Sequence, residues 1–153
     1  MMTLLAIATW CVIWWILNQY LRQTPALTTG FFTLDRLSFY WIIALLLHAT
    51  SLVLVITRRD GAILDFNATA SLVMWLTSLL LLLAQLKRPL HTLGLFVIPL
   101  TIVGLLIQLI PNHANETIML SNGLGLHIIT SLLGYSMLTL AAFQAILLAL
   151  QNH

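Results

Sequence analysis

Charge is what this chain has least of. Six Lys or Arg and four Asp or Glu make up 7% of 153 residues, where a soluble domain carries about a quarter. The hydrophobic fraction is 61% and the mean hydropathy +1.04. A soluble core of this size has no room for so much leucine and isoleucine. The single cysteine, Cys11, excludes an intrachain disulfide, CxxC redox chemistry and a cysteine metal cluster. A formal net charge of +2 supplies no basic surface for nucleic acid.

What the chain does have is long uncharged runs. There are five, at roughly 1–21, 38–57, 66–86, 90–110 and 123–151. Every charged residue falls between them: Arg22, Asp35, Arg36, Arg58, Arg59, Asp60, Asp65, Lys87, Arg88 and Glu116. Each run is close to or above the ~20 residues that cross a bilayer as a helix. The expected fold is therefore all-α, a polytopic transmembrane bundle of five spans forming a single domain over residues 1–153. The first run starts at Met1 with no basic leader, contains Trp10, Trp14 and Trp15, and has no small-residue cleavage site. It reads as a retained span rather than a signal peptide. Span five ends at Gln151-Asn152-His153 with no Lys or Arg to close it. That ending raises the expectation that the sequence is the front part of a longer membrane protein.

The connecting segments are short and hold the helix breakers. Pro25 and Gly30 fall in loop one, Asp60-Gly61 in loop two, Lys87-Arg88-Pro89 in loop three and Pro111-Asn112 in loop four. Pro89 suits the first turn of span four, whereas Pro99 lies within that span and should kink it. Loops one and three carry Arg22, Arg36, Lys87 and Arg88, against Arg58 and Arg59 in loops two and four. This bias places loops one and three in the cytoplasm and the N-terminus outside.

Two spans hold a histidine inside the run, and a titratable ring in hydrocarbon needs a partner, a cavity or a ligand. His48 is expected near the midplane, beside the small residues Ala49, Thr50 and Ser51. It can serve as interhelical packing glue, as a ligand to haem iron or another cofactor, or as a proton relay. His127 is expected about 6 Å below the outer face, with Ser131 and Tyr135 following at i+4 and i+8 on one helical stripe. That stripe can be a polar contact between helices or a haem site. A Ser–His nucleophile pair would lack its third orienting group. Gly123, Gly125 and Gly134 suit close helix approach or a flat ligand. His113 in loop four reads as solvated, or as a cap on haem from the water side. His91 reads as interfacial, and His153 is terminal. Trp41 and Trp75, like the three tryptophans of span one, read as interface or packing aromatics.

Around these histidines the chain resembles the inner-membrane cytochrome c assembly family, the CcsA/HemX/YpjD-like proteins, and the YpjD-like branch most closely. The resembling residues are His48-Ala49, the short Asp60-Gly61 loop, Pro111-Asn112, and above all span five with His127, Ser131, Tyr135, Ala141, Ala142 and Ala145. The resemblance covers nearly all of this chain and the front of the family's usual length of about eight spans. It implies haem handling in a bacterial inner membrane. His48 and His127 are then the candidate iron ligands, Ser131 and Tyr135 line the cofactor site, and other cytochrome c maturation proteins are partners. Such a protein moves or presents haem and is not an enzyme. The alternative is a permease-like or scaffolding subunit whose histidines only pack. By helix rise, His48 and His127 differ in depth by about 9 Å, so one iron takes both only if span two shifts or tilts.

The charge bias yields a direct test of orientation. In intact cells carrying single cysteine replacements, with Cys11 removed, an impermeant thiol reagent is expected to label position 112 and not position 28. The reverse pattern would overturn the orientation.

Overall fold

The computed structural model describes residues 1–22, 34–57, 63–86, 90–110, 118–119 and 122–151. Five helices fill most of that length: α1 (Met2–Arg22), α2 (Leu34–Ile56), α3 (Phe66–Gln85), α4 (His91–Leu109) and α5 (Asn122–Gln151). All five are long and apolar enough to cross a membrane. The chain is an all-α, multi-pass membrane protein, and the five apolar runs are its spans.

Helix α2 begins at Leu34, four residues ahead of the expected span. Asp35 and Arg36 therefore belong to its first turn and not to loop one. Charge marks the edge of the hydrocarbon, whereas a helix can continue into the headgroup layer. Helix α3 opens on Asp65, whose carboxylate accepts a hydrogen bond from the Ala68 backbone N–H at 2.7 Å. This satisfies one of the donors that every helix start leaves without a partner. Helix α4 continues through Pro99, at the cost of the one hydrogen bond that a proline cannot donate. Pro89, His113 and His153 lie outside the described residues.

Helices α1 to α4 close a ring in which each packs on two others: α1 on α2 and α4, and α3 on α2 and α4. Helix α5 lies outside the ring, chiefly against α3. Only 11% of its span is buried, compared with 33% for α2 and for α3. The centre of the ring is apolar. Trp10 and Trp41 are fully buried and meet edge to face, with centroids 5.8 Å apart and planes at 84°, the arrangement ring quadrupoles favour. Leu17, Val97, Ile98 and Leu105 complete this core.

Two glycines allow α4 to come this close. A Cβ at Gly94 would lie 2.8 Å from Leu17 Cδ2 and 3.1 Å from Trp41 Cη2. At Gly104 it would lie 2.9 Å from Met74 Cγ. Small residues at such crossings let helix backbones approach in a membrane. Gly134, by contrast, faces open space.

The segments following α2 and α4 meet at one end of the bundle. Strand β1 (Ile63–Leu64) pairs antiparallel with β2 (Ile118–Met119), in the register Ile63 to Met119 and Leu64 to Ile118. The sequence reading contained no strand. Nearby, the Asn67 side-chain amide donates to the Ile110 carbonyl at 2.9 Å and ties the start of α3 to the end of α4. Loops two and four thus share one face, as alternating spans require.

Candidate functional site

His48 lies eight residues from the end of α2, about 12 Å along the axis. Its side chain is fully buried. Nε2 is 2.9 Å from Ser71 Oγ on α3. Ser71 in turn donates to Gln108 Oε1 on α4 at 3.0 Å. The Gln108 amide nitrogen donates to the Ser51 carbonyl at 3.3 Å, back on α2. Ser51 Oγ closes the cluster on the His48 carbonyl at 2.9 Å. The result is a polar circuit across three helices.

The circuit fixes the proton positions. A backbone carbonyl only accepts, so the amine end of Gln108 faces Ser51 and its oxygen faces Ser71. The single Ser71 hydroxyl proton then goes to Gln108. Ser71 must accept from His48, so His48 carries its proton on Nε2. Nδ1 is left as a bare lone pair, and it has no hydrogen-bond partner. Around the circuit, Trp75 Nε1 donates to the Leu45 carbonyl at 2.9 Å. One helical turn beyond, Ser78 and Thr101 share a 2.6 Å hydrogen bond between α3 and α4. Several polar side chains inside these spans thus bond across helix boundaries, which satisfies them where a bilayer offers no water.

The other histidine stands in contrasting surroundings. His127 is exposed near the start of α5. Ser131 is half-buried, and Tyr135 is 62% exposed. The face of α5 turned toward α3 is a different one, carrying buried Leu132 and Ser136. Ser136 Oγ reaches the Val73 carbonyl at 3.3 Å as well as its own helix. His48 and His127 therefore stand in different settings, one inside the ring and the other on the outer side of a helix packed chiefly on α3. An iron at His48 would need Nε2, which Ser71 holds, or Nδ1, which is enclosed. Around His127 the surface is open. Gly134 has nothing near it, and Leu138 lies exposed one turn beyond. Small-molecule sites are concave, and this helix face by itself forms no enclosing wall around His127. Among the described residues no three His, Cys, Asp or Glu side chains gather to hold a metal ion.

Ser71 and Gln108 were not singled out from sequence, although they carry the same signal as His48: a polar side chain within an uncharged run. Depth was the clue that could have joined them, since all three lie in the half of their spans nearer loops two and four.

Comparison with protein-family models, curated proteins and solved structures finds no match to this chain.

The circuit has an energetic signature. Removing any one member leaves a buried group without its partner, at about 0.6–2 kcal/mol in a membrane. Ser71→Ala and Gln108→Leu are each expected to destabilise the detergent-solubilised protein by that amount. In the double variant the losses should add to less than their sum, because the two side chains share one chain of bonds. Full additivity in a thermal or chaotrope unfolding series would show that the two act independently.

Proposed function

We propose that this protein handles haem in a membrane, in the manner of the cytochrome c assembly family, with His127 on the open side of α5 as the iron ligand. The observation that carries this reading is the exposure of His127 and Tyr135 on a helix that buries only 11% of its span. Support also comes from the span-five resemblance, which falls on these residues. Bound haem would supply an iron centre whose affinity and potential follow its axial ligand. The chain's own contribution is an imidazole at His127, hydroxyls at Ser131 and Tyr135 to orient polar edges, and leucines to shield an apolar ring. In this reading His48 is a brace inside the ring rather than a second ligand. The setting is a bacterial inner membrane with the N-terminus outside and the C-terminus in the cytoplasm, and the partners are other cytochrome c maturation proteins.

A second reading is a permease-like or scaffolding subunit without haem. The polar circuit at His48 favours it, because Ser71 engages Nε2 and the ring is enclosed between packed helices.

The two separate by spectroscopy. The purified protein is expected to show a Soret band that His127→Ala abolishes and His48→Ala retains, the latter with lowered stability. Loss in both single variants, with the fold intact, would instead assign both histidines to one iron. No haem in the parent, or equal haem in all three proteins, sinks the haem reading and leaves the scaffold.

A further inference from the structure

The outer side of the α1–α2 pair holds a groove of about 400 Å³, within the size range of small-molecule sites. Leu5, Ala8, Val12 and Ile16 line it from α1, and Tyr40 and Ile43 from α2. It follows α1 from Leu5 to Ile16, about 16 Å of helix rise. Thr9 also borders the groove, but its hydroxyl bonds to the Ala6 carbonyl at 2.8 Å, so it presents no unsatisfied polar group. The groove is thus a long apolar slot on a helix pair built to lie in hydrocarbon.

The surrounding charge is lopsided. Along α1 the groove stops at Ile16, six residues and about 9 Å of helix rise before Arg22 at the helix end. Exposed Arg22 ends α1, its Nε held by Asn18 Oδ1 at 3.1 Å. Arg36 is in the first turn of α2, next to Asp35 in sequence. Two basic residues of the described segments, Arg22 and Arg36, therefore belong to this end. Basic clusters at a membrane edge attract anionic headgroups.

We infer that this groove is a binding site for one acyl chain of an anionic phospholipid, whose phosphate lies at the basic end near Arg22. The site differs from annular lipid contact in having a defined slot and a preferred headgroup charge. It is also separate from the α5 face, so it stands or falls apart from the haem reading.

The test uses the full chain in phosphatidylcholine nanodiscs, doped with either phosphatidylglycerol or phosphatidylcholine bearing a photoactivatable acyl chain. Cross-links read by mass spectrometry are expected to concentrate on Val12, Ile16 and Ile43, with phosphatidylglycerol preferred. Ala8→Phe fills the slot from its exposed wall, and should remove those cross-links while leaving labelling elsewhere unchanged. Arg22→Gln should lower the phosphatidylglycerol preference about fivefold, the factor expected of one basic side chain at a membrane surface. The wild-type pattern decides the matter even if a variant fails to fold. Labelling spread evenly over all five helices, or an absence of labelling because another protein covers the groove, overturns the site. Equal labelling by the two headgroups overturns its anionic character.

Discussion

The hydrogen bond from His48 to Ser71, 2.9 Å long and fully buried, sets the terms for the rest of the bundle. In hydrocarbon no water can take the place of a missing partner, so a polar side chain there bonds its own helix, as Thr77 does, or another one, as His48 does. Meeting Ser71 fixes how α2 faces α3, and passing the bond on to Gln108 fixes α4 against both. The apolar core cannot do this alone. Leucine packs against leucine in many rotations, and lipid tails are as apolar as the helices they surround. Direction therefore comes from the polar circuit, while tightness comes from Gly94 and Gly104, where α4 approaches Leu17, Trp41 and Met74.

Inside and outside differ in consequence. The ring of α1 to α4 satisfies most of its polar side chains internally and leaves few of them over. Among the described residues its buried orphans are the indole nitrogens of Trp10 and Trp41, His48 Nδ1 and Gln85 Nε2. Helix α5 is attached by one face and leaves His127 and Tyr135 outward. A histidine and a phenol on the outer side of a spanning helix invite a ligand or a protein neighbour. The two parts differ in burial: a ring braced by interhelical hydrogen bonds, and an appended helix with His127 and Tyr135 exposed. The haem proposal rests on that contrast, since the His127 ring is exposed whereas the His48 ring is enclosed.

Much of the architecture was legible in the sequence. Uncharged runs gave the five spans, because charge and hydrocarbon exclude each other. The start of α2 was missed because Asp35 and Arg36 mark the bilayer edge and not the helix end. His48 stood out as a polar group needing a partner, but the partner did not. Ser71 and Gln108 come 23 and 60 residues later, and only helix order and rotation bring them to His48. The glycines teach the same lesson. Gly134 suits close helix approach by its sequence setting, yet it faces open space, while Gly94 and Gly104 make tight contacts. A glycine's role depends on what faces it, and that residue is on another helix. The mini-sheet of β1 and β2 was invisible for its brevity, at two residues per strand.

The central claim, that a polar circuit with one proton arrangement orients three helices, is open to direct observation. Solid-state NMR of the ¹⁵N-histidine-labelled protein in bilayers distinguishes a protonated ring nitrogen from a bare one, and His48→Gln identifies the resonance. The account predicts a neutral ring with the proton on Nε2 and a pyridine-like Nδ1, with an Nε2 signal that shifts in Ser71→Ala. A proton on Nδ1, or an Nε2 signal indifferent to Ser71, would contradict it.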